Sequence, residues 1–353
     1  MYKIHHSKPY VGKEDAFKAA LQIESGMHAS GAKTKEFEDR LAGFIGAKYA
    51  KAANSGTSAL HLALLALGVD EYAEVIIPSY VCQTVMNAVD YTGAKAVLAD
   101  INQNFNEKGY NISSKTVKDL INKKTKAIIA PHMFGMPADL ESIINLGIPV
   151  IEDCAQSLGA KYKGKMVGSI GDAGIFSFYA TKVISTGYGG MIMCSSERLK
   201  DKIEDLTKYD KRDKYEISYN YELSDIQATI GIEQLKNLDY FIERRKAIAE
   251  KYNSAFSEKF FKIPPKTEGS FPFRYLIKFS NNLERDNMKD KLIEKRIKTE
   301  LPVFKPLHLY MGLDRNKFLA TEEAYNTTLS IPIYPALRDE EVEYVIKSVL
   351  EVV

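Results

Sequence analysis

Between Ile151 and Cys194 the chain reads IEDCAQSLGAKYKGKMVGSIGDAGIFSFYATKVISTGYGGMIMC. A short apolar run, Pro149-Val150-Ile151, ends in two carboxylates, Glu152 and Asp153. Further on, Lys182 follows Phe176-Ser177-Phe178-Tyr179 and precedes Gly187, Gly189 and Gly190. A lysine amine can form a Schiff base with an aldehyde, and can carry protons once its pKa is depressed. A carboxylate at a strand end can keep a pyridine nitrogen protonated, so that the ring works as an electron sink. Small and hydroxyl residues can hold a phosphate. Together these are the parts of a pyridoxal phosphate (PLP) site. Taken singly each has a commoner reading: a lysine is usually solvated surface, and an aspartate after a strand usually caps a helix or ligates a metal.

A phosphate end stands upstream, in Asn54-Ser55-Gly56-Thr57-Ser58-Ala59-Leu60-His61. Ser55 can cap a helix, and Leu60, Leu64 and Leu67 make that helix apolar on nearly every face, so it is expected to be buried. Its N-terminus offers free N–H groups and the positive dipole end, which suit a phosphate. On its own, Ser-Gly-Thr-Ser before a helix is usually only a cap.

The elements that must position these residues alternate. Strands are expected at Glu74–Pro78, Ala94–Leu98, Lys126–Ala130 and Pro149–Ile151, with helices at Val81–Tyr91, Ser114–Ile121 and Ala138–Leu146. That alternation predicts an α/β fold with a mostly parallel central sheet and helices on both faces, whose ligands sit beyond the carboxyl ends of the strands. Asp153 stands at such an end, as does the Gly56-Thr57 turn if residues near 50 to 53 form a strand. Helices flank the Gly26–Gly31 loop, and Gly189–Cys194 reads as a further strand. A long helix from Tyr240 is expected to break at Pro264-Pro265. Phe273–Phe279 alternates as a half-solvated strand, Asp286–Glu294 is helical, Leu301–Tyr310 reads as a loop, and a last helix runs from beyond Pro335 to about Leu350. The expected division is a large domain over 1–238, including the N-terminal helices, and a smaller C-terminal α/β domain over 239–353.

The bulk numbers exclude other classes. With 353 residues, 45% hydrophobic and 27% charged, the chain can bury a sizeable core. Its 48 basic and 46 acidic residues leave a net charge of +2, which gives no reason to expect nucleic acid as a partner. No apolar run approaches the roughly 20 residues of a membrane span. Cys82, Cys154 and Cys194 are far apart and suggest neither a metal site nor a disulfide framework, so a cytoplasmic protein is expected. The polar N-terminus does not read as a signal peptide, and His5 and His6 read as surface rather than a metal pair.

The wording adds what spacing cannot. E-D-x-A-Q at Glu152–Gln156, S-F-x-x-x-K at Ser177–Lys182, S-G-T-x-A-L-H-L-A-L from Ser55 and the block N-Y-x-x-S-D-x-Q-A from Asn220 together resemble the DegT/DnrJ/StrS family of PLP-dependent sugar aminotransferases. Ser30-Gly31 and Glu36-Phe37-Glu38 match its opening, so the likeness runs from Gly31 to the last helix. The resemblance implies the fold-type I transferase fold and PLP as cofactor. It makes Lys182 the Schiff-base residue and Asp153 the partner of the ring nitrogen. Gln156 would touch the ring edge or its phenolic oxygen, and Gly56, Thr57 and Ser177 the phosphate. Asn220 would reach the phosphate of a neighbouring subunit, which implies a homodimer with the site at its interface.

Two positions depart from the family pattern. In Pro78-Ser79-Tyr80-Val81-Cys82 the last residue stands where an aromatic ring usually covers the cofactor; either Cys82 covers it less tightly, or Tyr80 compensates, or the site is tuned differently. Tyr188 stands where the family usually has Glu. Tyr188 is therefore taken as a candidate substrate residue; His308, in a stretch that borders the substrate in the family, is another, and His132, where the family has a histidine at a similar place, is a further candidate near the site.

The resemblance implies a reaction that moves an amino group, with glutamate as the expected donor, to a keto-sugar, most often nucleotide-linked, in polysaccharide biosynthesis. Alternatives are a keto-cyclitol acceptor or a regulatory member without turnover. A related dehydratase would carry His in place of Lys182, and a nicotinamide dehydrogenase lacks its G-x-G-x-x-G here.

Overall fold

The computed structural model describes residues 3–102, 109–256 and 267–352. Two helices, α1 (Lys13–Glu24) and α2 (Ala32–Ile45), precede the sheet as expected. The central sheet contains β1 (Tyr49–Ala53), β2 (Glu74–Pro78), β3 (Lys95–Ala99), β4 (Thr125–Pro131), β5 (Val150–Asp153), β6 (Ala173–Ser177) and β7 (Gly190–Cys194), ordered β1-β7-β6-β5-β4-β2-β3. The run from β3 through β6 is parallel; β7 is antiparallel to both β6 and β1. All four residues of β5 are buried, as a strand covered on both faces requires.

Helix α3 (Gly56–Ala66) lies on one face of the sheet; Leu60, Leu62, Ala63 and Leu64 are at most 2% exposed there. Such all-round burial is what its apolar sequence demanded. Helix α4 (Gln83–Asp90) follows β2, and α5 (Glu197–Thr207) follows β7. On the opposite face Phe37, Leu41, Phe176 and Phe178 pack with α6 (Asp225–Lys236). Asp225 caps α2 across the chain, accepting from the N–H groups of Gly31, Lys33 and Thr34.

The C-terminal part is built on α7 (Leu238–Ala255), β8 (Tyr275–Lys278), α8 (Asn282–Glu294), α9 (Leu319–Thr327), β9 (Thr328–Ile331) and α10 (Asp339–Leu350), with β8 and β9 antiparallel. Strand β9, strand β6 and a hairpin pairing Lys161–Tyr162 with Lys165–Met166 go beyond what the pattern suggested. The break expected at Pro264-Pro265 lies outside the described residues.

Contacts cross the expected boundary at 238 in both directions. Ile4 bridges to Ile297 and joins the C-terminal core. Val303, Leu307, Phe318 and Ala324 join the core around α3. His6, read from sequence as surface, is instead 6% exposed and bonded to Ser330 Oγ at 2.8 Å, because the N-terminal segment runs against β9.

Candidate active site

The site begins at the carboxyl end of β5. Strand alternation sends Glu152 and Asp153 to opposite faces. Glu152, fully buried, accepts the N–H groups of Gly168 (2.7 Å), Ile170 (2.7 Å) and Gly171 (2.7 Å) and a bond from His132 Nε2 (3.1 Å). His132 Nδ1 accepts the N–H of Ala138 at 2.9 Å, so its one ring proton is on Nε2. Cys154 is also close, but the ring nitrogens and carboxylate oxygens are already engaged. This knot is a buried brace beneath the strand end, and His132 belongs to it rather than to the cleft.

Asp153 faces the other way, into a cleft of about 330 Å3 that also receives Gly56, Thr57, Cys82, Ser177, Tyr188 and Lys182. The cleft is walled by the start of α3, the turn before α4, the end of β6 and the loop between β6 and β7. At α3 the Ser55 hydroxyl caps the Ser58 N–H at 3.0 Å. The first-turn groups of Gly56 and Thr57 remain as donors at the positive end of the helix dipole. The approach is close: a Cβ at Gly56 would lie 2.9 Å from Ser177 Cβ, and one at Gly190 would lie 2.3 Å from the Ser55 carbonyl oxygen. Glycine at both places lets β7, β6 and the helix start converge.

Burial shapes the two central charges. It lowers the pKa of Lys182, with Asp153 and Cys82 pulling it back up and Arg274 pressing it further down. It raises the pKa of Asp153, opposed by the Ala155 N–H (3.0 Å from Oδ1), Lys182 and His132. Desolvation thus outweighs the mutual attraction of the pair, and the lysine is biased toward the neutral amine that a nucleophile must be.

Cys82 is exposed in the cleft, its sulfur accepting a bond from Thr84 Oγ1 at 3.3 Å. Tyr80 does not compensate for the missing ring: it is fully buried, stacked on Tyr110 at 5.7 Å. Tyr188 is 64% exposed at the cleft's edge, edge-on to Tyr179. Gln156 turns aside and accepts the Phe134 N–H at 3.2 Å. Asn220 is exposed, beside Tyr209 and Tyr215 and outside its own chain's cleft. His308 is fully buried, bonded to Ser79 Oγ (2.7 Å) and Glu322 Oε1 (2.7 Å) and stacked on Phe318; the fold does not bring it to the cleft. Thr84 and Tyr179 line the cleft without having been singled out; Tyr179, three residues before Lys182, was within sight of the motif.

The residues fit PLP. Among the described residues, no side-chain hydrogen bond occupies the Lys182 amine or the hydroxyls of Thr57, Ser177 and Tyr179, all of which line the cleft. An unused amine, a helix start whose first-turn N–H groups remain free with hydroxyls beside it, and a carboxylate across from them are the contacts such a cofactor requires.

A family model described as the DegT/DnrJ/EryC1/StrS aminotransferase family matches residues 10–350. The chain belongs to this family. It is therefore an aminotransferase, and its fold is that of PLP aminotransferases. The spore coat polysaccharide biosynthesis protein SpsC of Bacillus subtilis (strain 168) is 34% identical over 380 residues, covering 99% of this chain and 96% of SpsC. The GDP-perosamine synthase of Escherichia coli O157:H7 is 33% identical over 354 residues, covering 96% of this chain and 95% of the synthase. Among solved structures, Spr1654 from Streptococcus pneumoniae in its PLP form has a TM-score of 0.92 at 25% identity, with 100% of both chains covered. Among the described residues no helix is long and apolar enough to cross a membrane.

Proposed function

We propose that this aminotransferase uses PLP to transfer an amino group from an amino acid, glutamate in the first instance, to a nucleotide-linked keto-sugar. The observation that carries the reading is the half-buried Lys182 amine, without a hydrogen bond among the described residues, in one cleft with Asp153, Ser177 and the start of α3. Two relatives whose names are a polysaccharide biosynthesis protein and a GDP-sugar synthase support the acceptor class.

In this reading Gly56, Thr57 and Ser177 hold the phosphate, Asp153 holds the proton on the ring nitrogen, and Cys82 covers a ring face. When bound, the cofactor supplies a carbonyl for amines and a ring that stabilises negative charge on the adjacent carbon. Lys182 acts first as nucleophile and then as the base and acid that moves a proton at the substrate carbon; its burial keeps a neutral fraction available for both tasks. Tyr188, exposed at the edge, contacts the acceptor. Asn220 serves the cleft of a second copy, and its exposure outside its own cleft supports a homodimer. The large and small parts divide near residue 238, with the crossings already described, and the enzyme works in the cytoplasm.

The test is spectroscopic. The PLP-loaded protein should show a visible absorbance band that shifts on adding glutamate, and Lys182→Ala should abolish the shift. A band indifferent to glutamate and to every other amino donor would remove the reading. A screen of keto-sugar nucleotides, detecting new amines, then identifies the acceptor.

A further inference from the structure

A second cavity of about 230 Å3 lies between the turn after β4 and the C-terminal part. Phe134, Met136 and Phe271 give it apolar walls, and Arg274 also lines it. Glu250 and Lys246 of α7 line it too, with Glu250 on the exposed face of that helix.

Arg274 is the unusual member. Its Nε is buried without a hydrogen-bond partner, and its Nη1 donates only to the His6 ring, at 3.3 Å. The buried Thr267 hydroxyl on the same cavity is also unpartnered. A second guanidinium, Arg245, is buried nearby and uses Nη1 on the carbonyls of Phe273 (2.9 Å) and Ile333 (2.7 Å). Burial first, and then the charges of Arg274, Lys298 and Arg245, hold His6 well below its ordinary pKa, so the imidazole adds no charge. Among the described residues neither arginine forms an ion pair; Glu300 acts on Arg274 from a distance but is paired with Lys298 at 2.9 Å. Arg274 is half-buried as a residue, and a guanidinium held largely out of water without a counter-charge calls for an anion. A planar guanidinium suits a carboxylate best. The cavity lies below the ~300–1,000 Å3 of drug-sized sites, so the acid is small, and its walls favour an apolar body.

We propose that Arg274 binds the carboxylate of a small organic acid whose apolar part lies against Phe134, Met136 and Phe271. Two sources share this chemistry. One is the amino donor, whose carboxylate would reach Arg274 from the side of Lys182, an arm that rests on the proposed aminotransferase reaction; the other is a separate acid entering the cavity.

The test uses the PLP-loaded enzyme and isovalerate as probe. Calorimetry should show saturable binding to wild type, at least tenfold weaker binding to Arg274→Gln, partial recovery in Arg274→Lys, and none for methyl isovalerate. No saturable binding to wild type, equal binding of the ester, or equal binding to Arg274→Gln overturns the proposal. The wild-type titration against acid and ester decides it even if the variants do not fold. Single-turnover measurements then separate the sources: isovalerate that competes with glutamate assigns Arg274 to the donor, and isovalerate that binds without raising the glutamate requirement assigns a separate ligand. If no amino donor shifts the absorbance band, the aminotransferase reading fails, while the calorimetric result stands.

Discussion

Glu152→Gln is expected to destabilise the protein severely without touching the cleft. The Glu152 carboxylate accepts four donors: Ile170 and Gly171 on Oε1, Gly168 and His132 on Oε2. An amide keeps one acceptor oxygen and turns an NH2 group toward the other two donors. His132 cannot relieve this by moving its proton, because Nδ1 is committed to the Ala138 N–H. Two buried donors without acceptors cost about 1–3 kcal/mol each, so the loss is about 2–6 kcal/mol. For a chain of 353 residues that lowers the melting midpoint by roughly 3–8 °C. Differential scanning calorimetry of wild type and variant near pH 7.5 measures it directly. The pH dependence has a definite sign. Burial alone would raise the Glu152 pKa, but the bonds from His132, Gly168 and Gly171 outweigh it and the net shift is downward. A depressed acid stabilises the fold above its unfolded pKa of about 4.3 and loses that contribution as pH falls through the folded value. The gap between wild type and Glu152→Gln should therefore narrow only in the acid range below about pH 4.3. A midpoint within about 1 °C of wild type at neutral pH would show that the knot is not a charged brace.

Other perturbations separate the roles of the cleft residues. Gly56→Ala forces a methyl to 2.9 Å from Ser177 Cβ and should weaken PLP binding about tenfold in an absorbance titration of the apoenzyme, with the fold retained. Cys82→Phe restores a ring over the cofactor and should tighten the same titration by about two- to tenfold. Ser79→Ala removes both its bonds with His308 and should lower stability by about 1–3 kcal/mol in urea unfolding. Tyr188→Ala, at an exposed position, should leave stability within about 0.5 kcal/mol and raise the KM for the acceptor alone.

Much of the site was legible because its parts are local. Lys182, Ser177 and Asp153 sit in one stretch of chain, and the Ser55 cap with its apolar helix announces both burial and a dipole end. The alternating strands made the sheet readable, and Asp153 duly stands at a carboxyl end. The misreadings have long-range causes. His6 and His308 lie in polar or loop-like stretches, and only contacts with Ser330, Ser79 and Glu322 hundreds of residues away or across the turn bury them. Tyr80 carries the same aromatic ring whether it faces the cleft or Tyr110, and nothing local decides between them. Strand β9 follows directly on a helix, so its period of two has no flanking turn to mark it. Arg274 stands immediately before β8, in a run whose alternation was visible, but the absence of a counter-charge around it exists only once four distant segments have met.

The Ser79–His308–Glu322 chain of bonds bears on how the enzyme is made. Ser79 begins the turn that carries Cys82 into the cleft, and the Leu307 N–H also bonds to its carbonyl oxygen at 2.9 Å. Arg315 clamps Glu322 from outside, at 2.9 Å from Nε to Oε1. The wall that faces Lys182 is thus fastened by residues that leave the ribosome long after it. While the chain is being synthesised, the lysine, the aspartate and the helix start emerge while the turn opposite them has only its earlier contacts, such as the Ser79 N–H on the Ala99 carbonyl at 2.8 Å. A nascent chain stopped short of Glu322 carries every cleft residue named above and still lacks this fastening on one side of its pocket.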